Sequence, residues 1–311
     1  MPPPLVLTPD RMTGFPPGVQ DDTLMHNFCI QGDQATIQKA LDARFDAPSG
    51  GRVRYEAVGS KLFVSVAEIG RIFSTDPLDS HRGWMTEIDV AVWAIARLGL
   101  SLRFIPLWLF VDNSVGMATG REVYGFPKQI GRFAFTPRNS EPRSFETVAF
   151  VSPVFTPETE CVWAPMISIK PSAAAPEPGA GSVWSDLKAF ARHAIEQLEQ
   201  VVVDADLALM SAATQALGVG QSTLAFLKQF PDAVDARLAC YQGIIETDIE
   251  VTATRSLKMT QTPYTIEINN YASHPILEEF GIAPGVQDVG HGIVADMNFT
   301  IGAAREVWRA S

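Results

Sequence analysis

Short apolar runs broken by Gly and Pro dominate this sequence from residue 52 to residue 301, and no other feature restricts the fold as much. Arg52-Val53-Arg54-Tyr55-Glu56-Ala57-Val58 alternates, and Leu62-Phe63-Val64-Ser65-Val66 is a nearly continuous apolar run. Further runs cover 84–95, 101–111, 132–135, 145–152 and 162–169, then 222–230, 243–254, 264–268 and 292–301. Successive side chains of a strand point to opposite faces, so alternation and short apolar runs bounded by turn residues predict strands. Many strands with few helices predict an α+β, mostly β chain built as an antiparallel sheet system or a closed barrel.

Helical spacing interrupts this pattern in two places. Over 35–45, Ile37, Ala40, Leu41 and Phe45 share one helical face, with Asp33 placed to cap it. Residues 1–34 otherwise read as irregular. Residues 171–182 read PSAAAPEPGAGS, a flexible connection by composition. After it, Leu187, Phe190, Ala191, Ala194, Ile195 and Leu198 mark one face of a helix over 184–203. A second helix is expected over 206–217, stopped by Gly218. Strand-like runs resume afterwards, so residues 1–311 are expected to form one domain, with a linker and helical insertion at about 172–220.

Charge and cysteine content narrow the function classes. Asp and Glu number 35 against 24 Lys and Arg, a net charge of -11. Such a surface repels phosphate backbones and anionic headgroups, so neither nucleic acid nor a membrane is expected as a partner. An acidic substrate would need its own local cation. The start, Met1-Pro2-Pro3-Pro4-Leu5, has no basic region and no apolar core, so it does not read as a secretory signal. Arg97 and Arg103 break the stretch over 90–111 that comes nearest to a membrane span. A soluble, cytoplasmic protein is expected. Cys29, Cys161 and Cys240 are far apart and read as small buried hydrophobes, and the five His residues show no metal-ligand spacing. No metal or cofactor is expected.

The segment that carries chemistry is Gly120-Arg121-Glu122-Val123-Tyr124-Gly125-Phe126-Pro127-Lys128-Gln129, preceded by Asp112-Asn113. Tyr124, Phe126, Ile130 and Phe133 surround Lys128 in sequence. A lysine in such company can pack its stem and send its ammonium to water. Alternatively its amine is buried, where desolvation disfavours the charged form and leaves a nucleophile for carbonyl carbon. Local sequence by itself favours the first fate. Arg121 and Glu122 read either as a local ion pair or, for Arg121, as a bidentate carboxylate holder. Tyr124 and Phe126 read as walls, with a hydroxyl on Tyr124 able to donate to a substrate oxygen.

The string GREVYGFPK resembles the signature of acetoacetate decarboxylases, in which an aromatic-Pro-Lys turn carries a Schiff-base lysine; activation of that family's lysine is itself a standard example. Met85-Thr86-Glu87 is similar to a family position that supplies a pocket carboxylate, and Asp296 falls in what resembles the family's last strand. The resemblance implies an antiparallel, cone-shaped β-barrel with an apolar central cavity. Lys128 and Glu87 would be catalytic there, with Arg121, Tyr124, Phe126 and Gln129 binding substrate. It also implies a cofactor-independent lyase that forms an imine with a keto acid or related carbonyl compound, and assembly as a homo-oligomer. The sequence departs from the family where Gln129 replaces a second lysine. Near the family's N-terminal arginine and additional glutamate it shows only Thr23, Leu24, Met25 and Val64. Desolvation alone would then have to activate Lys128, and aldol or dehydration chemistry stands beside decarboxylation. The competing expectation is a barrel that binds an apolar ligand, or closes a ring by confinement, without covalent chemistry.

Overall fold

The computed structural model describes residues 4–99, 101–172 and 221–310. The expected helices over 184–203 and 206–217 lie outside the described residues. The strands are β1 (Gly18–Gln31), β2 (Glu56–Ser74), β3 (Met85–Leu98), β4 (Ser101–Val111), β5 (Lys128–Phe135), β6 (Phe145–Val151), β7 (Val162–Pro171), β8 (Gln221–Pro231), β9 (Ala239–Met259), β10 (Tyr264–Ile268), β11 (Val286–Gly290), β12 (Ile293–Ile301) and β13 (Arg305–Arg309). Short helices join them: α1 (Gln34–Leu41), α2 (Ala47–Ser49), α3 (Ser114–Thr119) and α4 (Ile276–Phe280). A wide π-type turn follows α1 (Asp42–Asp46), and another follows α3 (Gly120–Tyr124).

The strands form one mixed sheet in the order β11-β10-β7-β6-β5-β4-β3-β2-β1-β12-β9-β13. Strand β8 pairs with β9 along its length and bridges in register to β4 at Phe104 and Leu224. The sheet is therefore ring-like. The expectation of an antiparallel cone-shaped β-barrel is corrected on two counts. Both the closing β4–β8 contact and the β4–β5 pairing are parallel. The hydrogen-bonded path also runs out of the ring at each end, to β11 and to β13, rather than closing on itself. The cause at β4 is the crossover through α3 and its π turn, which returns the chain alongside β4 in the same direction.

Alternation along the strands separates two apolar clusters. Phe28, Leu62, Val64, Val92, Phe145 and Tyr264 pack outside the ring, against β6, β7, β10 and the helices. Ala91, Leu109, Tyr124, Phe126, Leu224 and Met297 belong to the second cluster, inside the ring. The helix over 35–45 is realised as α1 and its π turn. The Asp33 carboxylate accepts from the Thr36 amide at 2.8 Å, and Ile37, Ala40, Leu41 and Phe45 are all buried.

Three further expectations need correction. Residues 18–31, read as irregular, form β1. A bulge at Asp21-Asp22, with Asp22 at φ 54, shifts the register and hides the alternation. Asp232, Asp235, Glu246 and Asp248 form an acidic cluster in the sequence that reads as a solvated edge, yet Glu246 is buried and accepts from Tyr55 at 3.0 Å, Arg103 at 2.5 Å and Arg305 at 2.6 Å. Cys161 and Cys240 are exposed, and only Cys29 is largely enclosed, its thiol pushed up to about 11 by burial. Among the described residues no helix is long and apolar enough to cross a membrane.

Candidate active site

A cavity of about 370 Å3 opens inside the ring. Alternation on β3 sends Glu87, Asp89 and Trp93 to its wall, while Lys128, the first residue of β5, enters from the neighbouring edge. Lys128 Nζ donates to Glu87 Oε1 at 2.6 Å. The Glu87 side chain is 1% exposed and that of Lys128 12%. The other carboxylate oxygen, Glu87 Oε2, is buried without a hydrogen-bond partner. Lys128 Nζ also lies 5.8 Å from the centre of the Phe126 ring.

The crossover explains why the motif has the residues it has. Asn113 caps α3 by accepting from Val115 and Gly116 amides at 2.9 and 3.1 Å, and it donates to the Thr86 carbonyl at 2.8 Å. Asp112 accepts from the Ile88 amide at 2.8 Å. These two side chains therefore hold the backbone on both sides of Glu87. Close approach dictates two glycines: a Cβ on Gly116 would sit 1.7 Å from Glu87 Oε2, and one on Gly120 would sit 2.5 Å from Lys128 Cδ. Gly125 ends the turn at φ 91, a left-handed conformation that suits glycine, and Phe126-Pro127 then leads into β5.

Asp89 is the group that sequence reasoning missed. Its carboxyl is pushed up to about 7, first by burial, then by repulsion from Glu87 and Asp112, with Lys128 pulling the other way. The spacing contained the signal: two residues after Glu87 on a strand is the same face. The buried Tyr124 hydroxyl is pushed up by desolvation and makes only a long contact, 3.5 Å, to the Ile301 carbonyl.

The cavity gathers Lys128, Glu87, Tyr124 and Phe126, and leaves two expected residues outside. Arg121 is exposed and donates to the Lys128 carbonyl at 3.0 Å, bracing the backbone rather than facing a ligand. Gln129 points to the opposite face of β5, where its Oε1 lies 2.7 Å from His274 Nε2. Asp296 pairs with Arg255 away from the cavity. Lys128 Nζ is paired with the Glu87 carboxylate rather than surrounded by apolar groups alone. The N-terminal segment supplies an unforeseen part of the rim: Met12, Thr13, Gly14 and Phe15 line the cavity, as do Asp79 and Arg82. Asp79 ion-pairs with Arg11 and accepts from the Phe15 amide at 2.7 Å, and Thr119 accepts from the Gly14 amide at 2.9 Å. Among the described residues no cluster of His, Cys, Asp and Glu has the make-up of a metal site.

This arrangement of strands is that of the acetoacetate decarboxylase-like fold. The chain superposes on an acetoacetate decarboxylase from Legionella pneumophila with a TM-score of 0.62 at 12% identity, covering 99% of this chain and 93% of that one. An acetoacetate decarboxylase-like enzyme from Sphingomonas wittichii gives 0.54 at 13% identity, over 98% of each chain. The enduracididine biosynthesis enzyme MppR, solved with pyruvate, gives 0.52 at 13% identity, over 96% of this chain and 93% of that one. No family model and no curated protein sequence matches the chain.

Proposed function

We propose that this protein is a lyase in which Lys128 forms an imine with a keto acid or a related carbonyl compound. The observation that carries the reading is the 2.6 Å contact between Lys128 Nζ and Glu87 Oε1 at the wall of the ring's cavity. An ammonium cannot attack a carbonyl, and Glu87 is placed to take its proton. The free amine then bonds to the carbonyl carbon, and the carbonyl oxygen becomes the hydroxyl of a carbinolamine. Glu87 returns the proton to that hydroxyl, water leaves, and the nitrogen is left as an iminium carrying one hydrogen. Charge is conserved: one ammonium has become one iminium, and Glu87 is a carboxylate again.

The iminium accepts the electron pair released when CO2 leaves a 3-oxo acid or when a proton leaves the carbon beside the imine. Either event gives an enamine. Asp89, its carboxyl pushed up to about 7 chiefly by burial, is suited to deliver or remove the proton on that carbon. Tyr124 and Phe126 hold the substrate against Lys128 and keep water away. Arg82 also lines the cavity, its guanidinium shared between Asp79 at 3.8 Å and the Arg11 carbonyl. MppR is solved with pyruvate and with the condensation product of pyruvate and imidazole 4-carboxaldehyde, which makes pyruvate a first compound to try beside acetoacetate.

Borohydride reduction in the presence of pyruvate, acetoacetate or 2-oxooctanoate tests the reading. A mass increase on the peptide containing Lys128, absent in Lys128→Ala, is the expected result. No adduct with any of the three would overturn it. The ion pair also favours a second reading, non-covalent binding of an apolar ligand, because Lys128 Nζ is already engaged by Glu87. Full ligand affinity in Lys128→Ala would establish that reading instead.

A further inference from the structure

The ring holds a second hollow. A chamber of about 110 Å3 is lined by Asn27, Phe63, Ser65, Phe104, Ser222 and Val251 among others. Met25, Trp93, Leu224, Ile249 and Phe299 line both this chamber and the Lys128 cavity. These side chains form a waist between the two spaces. Trp93 is fixed in it, its indole N–H donating to Ser65 Oγ at 2.6 Å. Met25 is unbranched, and such a side chain moves aside at little cost.

The positions around the second chamber point inward, and a ring built only for stability would fill that space with side chains. Phe63, Phe104 and Val251 are instead left partly exposed. An apolar hollow beside a site with few, convergent polar groups has the build of a ligand pocket. Charge supports the same direction. Glu87, Asp89 and Lys128 stand in the first cavity, whereas among the described residues none that lines the second chamber is charged.

We infer that the substrate carries an extended apolar tail, with its reacting carbonyl at Lys128 and the tail passing the Met25–Trp93–Phe299 waist into the second chamber. The placement of the carbonyl rests on the imine reading; the tail site does not. A short acid such as acetoacetate or pyruvate would leave the second chamber empty and forgo the burial that each methylene contributes, roughly fourfold in affinity.

The test compares two acids with the same reactive head. Pyruvate and 2-oxooctanoate are each titrated with borohydride, and the adduct on Lys128 is quantified by mass. The expected result is half-maximal trapping by 2-oxooctanoate at a concentration at least ~10-fold lower than for pyruvate. Val251→Trp, which fills the second chamber, is expected to erase most of that ratio, with Val251→Phe as a milder filling if the larger one fails to fold. Equal half-maximal concentrations for the two acids, or a ratio that survives either filled variant, would overturn the inference and leave the imine reading standing. Absence of any adduct sinks the imine reading alone. In that event, calorimetric titration with octanoate decides the tail site: binding that weakens at least ~10-fold in the filled variant supports it, and no binding to the unaltered protein overturns it.

Discussion

Replacing Glu87 by Gln keeps the side chain's shape and removes its capacity to take a proton from Lys128. The borohydride-trapping rate in Glu87→Gln is expected to fall on the order of 100-fold, the scale of a lost general base. The same change strips a buried ammonium of its counter-charge, so thermal unfolding is expected to shift down by about 3 kcal/mol. Stability lost with trapping intact would mean that Glu87 only pairs. Asp89 gives a separate test through pH. Its folded-state value, about 7, is raised above that of an ordinary carboxyl. Between about pH 4 and 7 the folded protein therefore holds a proton that the unfolded chain has released, and the group's contribution to stability declines as pH rises through that window. Asp89→Asn removes the dependence. Its unfolding free energy relative to the unaltered protein is expected to be pH-independent below about 4, to rise between 4 and 7 and to level off above, by on the order of 4 kcal/mol in all. Denaturant titrations at pH 4, 6 and 8 measure the difference, and a flat difference would show that Asp89 is not perturbed.

The elements differ in how much their sequence gave away. Helix α1 was legible because a capping Asp33 and four apolar residues at helical spacing agree. Strand β1 was not, because its bulge at Asp21-Asp22 breaks the alternation on which recognition depends. The GREVYGFPK turn was legible as a unit through its resemblance to a family signature, yet individual roles within it were not. Strand alternation turns Gln129 away from the cavity, and the π turn turns Arg121 out to solvent, facts that need the three-dimensional path of the crossover. Asp112-Asn113 belongs to this scale: the pair fixes the strand that carries Glu87. Asn113→Ala is expected to cost about 1 kcal/mol as a lost helix cap. Because the Thr86 carbonyl also loses its donor, trapping at Lys128 is expected to slow at least several-fold. An unchanged trapping rate alongside the lost stability would confine Asn113 to capping.

At the scale of the molecule, the mostly β character was readable from the runs alone, whereas the closure was not. A single parallel pair, Phe104 with Leu224, leaves no mark in a sequence, so an antiparallel barrel was the natural but incorrect expectation. The N-terminal segment was equally hidden, since its packing depends on a partner nearly seventy positions away in the chain, Asp79. Asp79 holds this segment across the cavity by pairing with Arg11 and accepting from the Phe15 amide. Arg11 Nη1 is already buried without a partner, so Asp79 carries most of the compensation for that guanidinium. Asp79→Asn keeps the amide acceptor and removes the charge. The buried arginine is then left uncompensated, at a cost of about 3 kcal/mol. Residues 4–10 of this strap are exposed and offer little to offset that cost, so the segment is expected to release before the sheet unfolds. Limited proteolysis should cut residues 4–17 at least ~10-fold faster in Asp79→Asn. The far-ultraviolet circular dichroism of the ring should stay unchanged, and water should gain access to Lys128 past Met12 and Phe15. Equal cleavage rates in the two proteins would mean that Thr119 and the apolar contacts hold the strap without the ion pair.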